Sequence, residues 1–381
     1  MLSFFSKFRI FAKASIPNPT FLWVFRIQKN THRKLKNFNT YFRRLLALVF
    51  VLVVAACSRE EQPYIKVEGQ MLGTFLQVSA RTSRSSAEVY SLMMQIDSMA
   101  KRSMSIFDEQ SLLSRLNNNQ TNEVDEHIAY CLELSRRVNA QSGGVYDVTV
   151  APLVEAYGFA AKDREAKVNV DSLLEFVGID KLKIEDGHLI KSDERVRIDF
   201  NSIAKGYVVD MAARALEEWG MTDYLVDIGG EVRCSGVNAK GGPWRVGVET
   251  PFDGNNTVGA YVQQVISLSN CSMATSGNYR RYYLDDEGRK VAHTIDPRTG
   301  RSAVTALLSA TVVAPTCAEA DAYGTMFMAM PLEQAIATAR ELEKRGVQAY
   351  FIAAGEGDEF EVYYTRGLAE ALAQTEGYKA I

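Results

Sequence analysis

The sequence predicts an α+β protein of mixed sheets with packed helices, and three observations point there. Short runs of alternating apolar residues and longer runs of helical period follow one another without the strict alternation of a doubly wound sheet. A length of 381 residues is generous for one core, which favours one large domain or two lobes around a cleft. Neither a GxGxxG turn nor a Walker loop occurs, which weakens the two commonest nucleotide-binding folds. The 26 Gly and nine Pro are ordinary for a globular chain. Five Cys without a CxxC pair exclude a disulfide-built scaffold and a thiolate zinc site.

The elements follow in order. Val67–Ala80 alternates and contains Gly73-Thr74, which reads as one bent strand. Ser85 and Glu88 make a capping box that opens a helix to about Met104, with Val89, Leu92, Met93, Ile96 and Met99 at helical spacing. A second helix covers about Val124–Gln141 and stops at Ser142-Gly143-Gly144. Val196–Phe200 reads as a strand that leads into a third helix, about Ile203–Trp219, with Gly220 as its stop. Tyr224–Ile228, Trp244–Glu249, Val262–Ser269, Tyr279–Leu284 and Leu307–Ala314 read as strands. Helices at about Ala318–Met330 and Leu332–Arg345 precede a closing strand pair, Val347–Ala354 and Phe360–Thr365.

The first 56 residues differ from the rest. They carry ten of the 43 basic residues and none of the 46 acidic ones, so the remainder is strongly acidic. An acidic body is a poor partner for nucleic acid. Arg43-Arg44 is followed by twelve apolar residues, Leu45–Ala56. As a helix these reach only about 18 Å, short of a bilayer core of about 30 Å, and they fit the apolar region of a signal peptide. Val54-Ala55-Ala56-Cys57 resembles a bacterial lipobox, whose Cys is lipidated and becomes the new N-terminus. The expected organisation is a basic extension and signal peptide over 1–56, a tether over 57–63 and a catalytic domain over 64–381. The expected location is the bacterial cell envelope, lipid-anchored to a membrane and facing the periplasm or the outside. Of the other cysteines, Cys131 reads as a small buried hydrophobe, and no disulfide among Cys131, Cys234, Cys271 and Cys317 is expected.

Four motifs carry candidate chemistry. Ser142–Asp147 places two Gly after a helix, where backbone can approach a ligand and Tyr146 could stack on a ring; a helix C-cap explains it equally well. Asp199–Tyr207 delivers Asn201-Ser202 to a helix N-terminus suited to phosphate, with Lys205 facing an anion; a plain N-cap with a solvated Lys is the alternative. Ala274–Arg281 precedes His293–Gly300, a tight turn with His293 at its entry. Asp321 and Thr325 lie four apart on one face of an apolar helix. A carboxylate and a hydroxyl suit Mg²⁺ and not zinc; a carboxylate facing solvent is the alternative.

In this order and spacing the motifs resemble the ApbE family, the FAD:protein FMN transferases. The resemblance runs from about Gly69 to Met330. It rests on Gly73-Thr74, Met104–Phe107 with Ser114–Asn117, Ser142–Pro152, Asp199–Asp210, Asp227–Gly230, Thr275–Arg280, His293–Gly300 and Ala320–Thr325. It implies a flavin-binding cleft between lobes, with FAD as substrate and Mg²⁺ as cofactor. It implies transfer of the FMN half of FAD to a Thr hydroxyl of a target flavoprotein, a subunit of an envelope electron-transport complex, with release of AMP. By motif, FAD would meet Leu72, Phe107, Val145, Tyr146, Asp147, Asp199, Lys205 and Ile295. Ser202, Asp321 and Thr325 would hold the metal, and His293 would accept the hydroxyl proton. The chain departs from the family at Leu72 (commonly Met), Phe107 (commonly Tyr) and Gly324 (an acid in some members); Lys205 is Glu in some. Two alternatives remain: an FAD pyrophosphatase, with water as acceptor, and a non-enzymatic flavin-binding lipoprotein.

Overall fold

The alternation across Val67–Ala80 is not one bent strand but a hairpin. In the computed structural model, β1 (Tyr64–Met71) and β2 (Thr74–Arg81) pair antiparallel with Met71 opposite Thr74. The two residues between them, Leu72 (φ 52°) and Gly73 (φ 76°), are both left-handed, the pattern of a two-residue turn whose twist matches its strands. The Leu72 N–H donates to Asp97 Oδ1 at 2.9 Å, which fixes the turn against the following helix.

The structure describes residues 62–159, 169–252, 255, 259–279, 282–357 and 359–381. The signal peptide, Cys57 and the tether to residue 61 lie outside the described residues, as do Arg280 and Arg281. Residues 62–381 cluster as one unit.

The hairpin begins a nine-stranded sheet. It continues with β3 (Tyr224–Ile228), β4 (Glu231–Ser235), β5 (Cys271–Gly277), β6 (Leu307–Ala314), β7 (Gln348–Ala354), β8 (Phe360–Tyr364) and β9 (Lys379–Ala380). Order in space equals order in the chain, and every neighbouring pair is antiparallel except the last. The helices lie in the connections: α1 (Ser86–Met104), α2 (Leu112–Asn117), α3 (Glu126–Ser142), α4 (Ala151–Ala156), α5 (Val170–Leu174), α6 (Ala204–Glu218), α7 (Cys317–Met328) and α8 (Leu332–Glu343).

Alternation along the strands splits the core in two. Val312, Phe351 and Ala353 belong to the large core shared with the helices, whereas Val313, Tyr350 and Ile352 face the other way. There they meet Trp244, Val248, Ile266 and Leu268 of a separate hairpin, Trp244–Glu249 with Val262–Leu268. The sheet is therefore covered on both faces, helices on one and a hairpin on the other, an α+β architecture. α1 has the capping box the sequence predicts: Glu88 N–H donates to Ser85 Oγ at 3.3 Å, and Ser85 N–H to Glu88 Oε2 at 2.9 Å. α3 ends at Gly143 in the left-handed conformation (φ 64°), whose N–H returns to Asn139 O.

Candidate active site

The cleft is built where α6 begins. The segment Val196–Phe200, expected as a strand, is extended without belonging to a sheet. Asn117 takes the place of a neighbouring strand: its Oδ1 accepts the Ile198 N–H at 2.7 Å and its Nδ2 donates to Ile198 O at 2.8 Å. The Asp199 N–H donates to Val148 O at 2.8 Å. Asp199 in turn accepts the Asn201 N–H at 2.7 Å. The N-cap position of α6, Ile203, makes no side-chain cap bond.

Helix α7 is set against α6 by buried carboxylates. Asp210 of α6 accepts the Cys317 N–H at 3.0 Å and the Ala318 N–H at 2.9 Å, filling two of the orphan donors of α7, while Arg233 from β4 donates to it at 2.7 Å. Asp321, 4% exposed, accepts the Gly206 N–H at 3.0 Å. The two helices touch at Gly206: a Cβ there would stand 2.3 Å from Cys317 O and 2.8 Å from Asp321 Cβ. Only glycine allows this approach.

A cavity of about 330 Å³ opens between these elements, the β3–β4 turn, the end of β5 and the turn around His293. It brings together Val145, Tyr146, Asp147, Asp199, Ser202, Lys205, His293, Ile295, Asp321 and Thr325. Phe107, 66% exposed, lines an adjoining cavity of about 270 Å³ that shares Asp199. Leu72 lines neither; it sits at the tip of the β1–β2 hairpin.

Several of these groups are already engaged. The Tyr146 hydroxyl and Ser202 Oγ lie 2.9 Å apart, with the ring buried in the wall. Asp147 takes the Thr149 N–H at 2.8 Å, the Thr149 hydroxyl at 2.6 Å and the Ile179 N–H at 2.8 Å, so it also closes the turn after α3. His293 packs edge-on to Phe159 with ring centroids 6.2 Å apart.

Lys205 faces an anion of the chain itself. Its ammonium bonds Glu231, the first residue of β4, in an ion pair inside the cavity. Burial works to lower the Lys205 pKa, but the Glu231 and Asp321 carboxylates outweigh it and hold the ammonium above its ordinary value. Burial pushes Glu231 up to about 7 against the pull of Lys205, and raises Asp321 as well. Burial also takes Asp227, in β3, up to about 6. The Asp227–Gly230 motif stops one residue short of Glu231. The signal that points to it is an acid directly after two Gly, at the head of a short strand.

The donors fit a hard cation. Ser202, Asp321 and Thr325 offer only oxygen, and Glu231 Oε2 is buried beside them with no hydrogen-bond partner. Among the described residues no three His, Cys, Asp or Glu side chains gather as a metal shell, and of Ser202, Asp321 and Thr325 only Asp321 is a carboxylate. Gly324 packs on β5: a Cβ would lie 2.9 Å from Ser276 Oγ.

The fold and cleft define an α+β enzyme whose site lies at the ends of the central strands of a nine-stranded sheet, walled by hydroxyls, carboxylates and one ammonium. The chain belongs to the ApbE family, whose sequence profile matches residues 72–351. It is 32% identical over 343 residues to the FAD:protein FMN transferase of Escherichia coli K12, covering 84% of this chain and 95% of that one. It is 34% identical over 328 residues to that of Haemophilus influenzae, covering 81% and 91%. The flavin transferase ApbE of Vibrio cholerae superposes with a TM-score of 0.71 at 29% identity, covering 81% of this chain and 99% of that one. The apo flavinyl transferase ApbE of Pseudomonas stutzeri gives 0.72 at 25% identity, covering 82% and 98%.

Proposed function

We propose that the chain transfers the FMN part of FAD to a threonine hydroxyl of a target flavoprotein in a Mg²⁺-dependent reaction that releases AMP. The observation that carries the proposal is the single cavity in which the oxygens of Ser202, Asp321 and Thr325, the Lys205–Glu231 pair and His293 meet. The relatives' names support flavin transfer as the activity.

Phosphoryl transfer asks a protein for positioning and charge neutralisation more than covalent chemistry. Ser202, Asp321 and Thr325 would hold the magnesium ion, which when bound neutralises the pyrophosphate and eases departure of AMP. Lys205 adds a fixed positive charge at the same wall. Val145 and Ile295 give apolar surface for a flavin ring, and the Phe107 ring stands exposed in the neighbouring cavity. The acceptor oxygen attacks the FMN phosphorus and its proton passes to the His293 ring. The bond from phosphorus to the bridging oxygen breaks, and AMP leaves with that oxygen.

The test is incubation with FAD and Mg²⁺, with and without a Thr-containing target protein. AMP release with a matching covalent mass gain on the target is the expected result. AMP and free FMN in equal amounts, with no mass gain on any target, would identify a pyrophosphatase; no turnover with tight FAD binding would identify a carrier. We further propose that Cys57 bears a lipid anchor that holds the domain at the envelope membrane, within reach of an electron-transport subunit.

A further inference from the structure

Cys234 and Cys271 stand directly opposite one another where β4 pairs with β5. Opposed residues of an antiparallel pair have Cα atoms about 4.5–5.5 Å apart, inside the range of about 4.4–6.8 Å that a disulfide spans. The Cys234 thiol donates to the Cys271 carbonyl oxygen at 3.6 Å, so the two residues already touch across the ladder. Both are reduced thiols here. Their access differs: Cys234 is 2% exposed, whereas Cys271 is half-buried at the first position of β5, next to Asn270 at φ 53°. Cys131 and Cys317 are fully buried elsewhere in the core.

We propose that Cys234 and Cys271 are a modification site: in the presence of a disulfide oxidant they close a cross-strand disulfide that staples β4 to β5. Cys271, as thiolate, attacks one sulfur of the oxidant. The oxidant's S–S bond breaks and its other sulfur leaves as a thiolate. Cys234 then loses its proton to solvent and attacks Cys271 Sγ of the mixed disulfide, expelling the second oxidant thiol. Two protein thiols are oxidised by two electrons and one oxidant disulfide is reduced to two thiols. The division of labour follows the environment: the neighbouring Cys234 side chain holds the Cys271 thiol down at about 7, while Cys234, more deeply buried, is raised.

The staple has a structural purpose. β4 meets β5 over only three residue pairs, Val232–Met273, Arg233–Ser272 and Cys234–Cys271. Glu231 and Thr275, which line the cleft, lie just beyond the other end of that short ladder, three to four residues or about 10 Å along the strands. A one-residue slip would turn Glu231 away from Lys205. A covalent bond at the far end fixes the register without touching the cleft.

The test uses the full chain in glutathione buffers from fully reduced to fully oxidised. After acid quenching, free thiols are alkylated in denaturant and the chain is digested with trypsin without reduction. The expected product joins the peptide Cys234–Lys240 to the peptide Val246–Arg280, and the oxidised protein melts several degrees higher, reversibly on reduction. Cys271→Ser should lose both the linked peptide and the melting shift. Cys234→Ser should instead carry glutathione on Cys271. Alkylation of both cysteines at every redox ratio would overturn the proposal, as would linkage of either to Cys131, Cys317 or a second copy.

Discussion

Asp227 and Glu231 carry more protons in the folded protein than in the unfolded chain, because burial raises both: Asp227 to about 6 and Glu231 to about 7. The stability they lend is complete below their ordinary values near 4 and is lost as pH rises through about 6 to 7. The upper bound is about 3 kcal/mol for Asp227 and somewhat more for Glu231, since a tenfold change in proton affinity corresponds to about 1.4 kcal/mol. The metal-free protein should therefore melt progressively lower from pH 5 to pH 8, and Asp227→Asn should flatten part of that slope. A melting temperature that is level or rises over this range would contradict the burial argument. For the reaction, Asp321→Ala should abolish Mg²⁺-dependent AMP release while FAD still binds, since it removes the one carboxylate of the donor set. His293→Ala should slow transfer by roughly 10²–10⁴-fold, the usual weight of a general base, with FAD affinity nearly unchanged. The parent rate should fall on acidification, since a protonated ring accepts no proton. A variant that keeps this acid limb and near-normal turnover would remove His293 from the chemistry.

The paired helices α6 and α7 are the elements on which the cleft depends. Gly206→Ala must push Cys317 O and Asp321 Cβ away, and the nearest obstacle is backbone, which cannot rotate aside. The expected loss is about 3 kcal/mol or more, the scale of overpacking in a tight core. Because Asp321 sits at the contact, the Mg²⁺ concentration for half-maximal activity should rise as well. Parent-like melting and metal dependence together would show that the helices can separate freely. Such contacts explain which elements the sequence discloses. α1 is legible from Ser85 and Glu88 because both halves of its cap are local, and the end of α3 from Gly143 for the same reason. The β1–β2 hairpin is hidden because apolar residues continue on both sides of its turn, although the buried positions change from odd to even across it, and Leu72 adopts φ 52° without a sequence mark of its own. β5 is hidden because Ser272, Thr275 and Ser276 read as a polar motif, yet it lies in the middle of the sheet. The pair Lys205 and Glu231, and the caps Asp210 gives to α7, depend on chain segments brought together by the sheet, which no local pattern records.

At the scale of the whole molecule, the described residues contain no helix long and apolar enough to cross a membrane. The proposed attachment rests on Cys57 alone. Cys57→Ser should leave the chain as uncleaved precursor in place of the processed, membrane-associated form. A variant that is processed and partitions like the parent would refute the lipid anchor.

The identity of chain order and spatial order in the nine-stranded sheet has a temporal meaning. A chain delivered N-terminus first presents each strand, as it arrives, with a neighbour already laid down. The sheet can then grow from a single edge, and no strand needs to be inserted between two earlier ones. The cost is that the growing edge stays unpaired for as long as the next connection takes to appear. The longest wait is at β2, because α1 to α6 all precede β3. During that interval the β1–β2 hairpin is the segment most open to pairing with a second chain. A folding factor that shields exposed strand edges would act there first, and substitutions that slow α1 to α6 should raise aggregation without altering the finished fold.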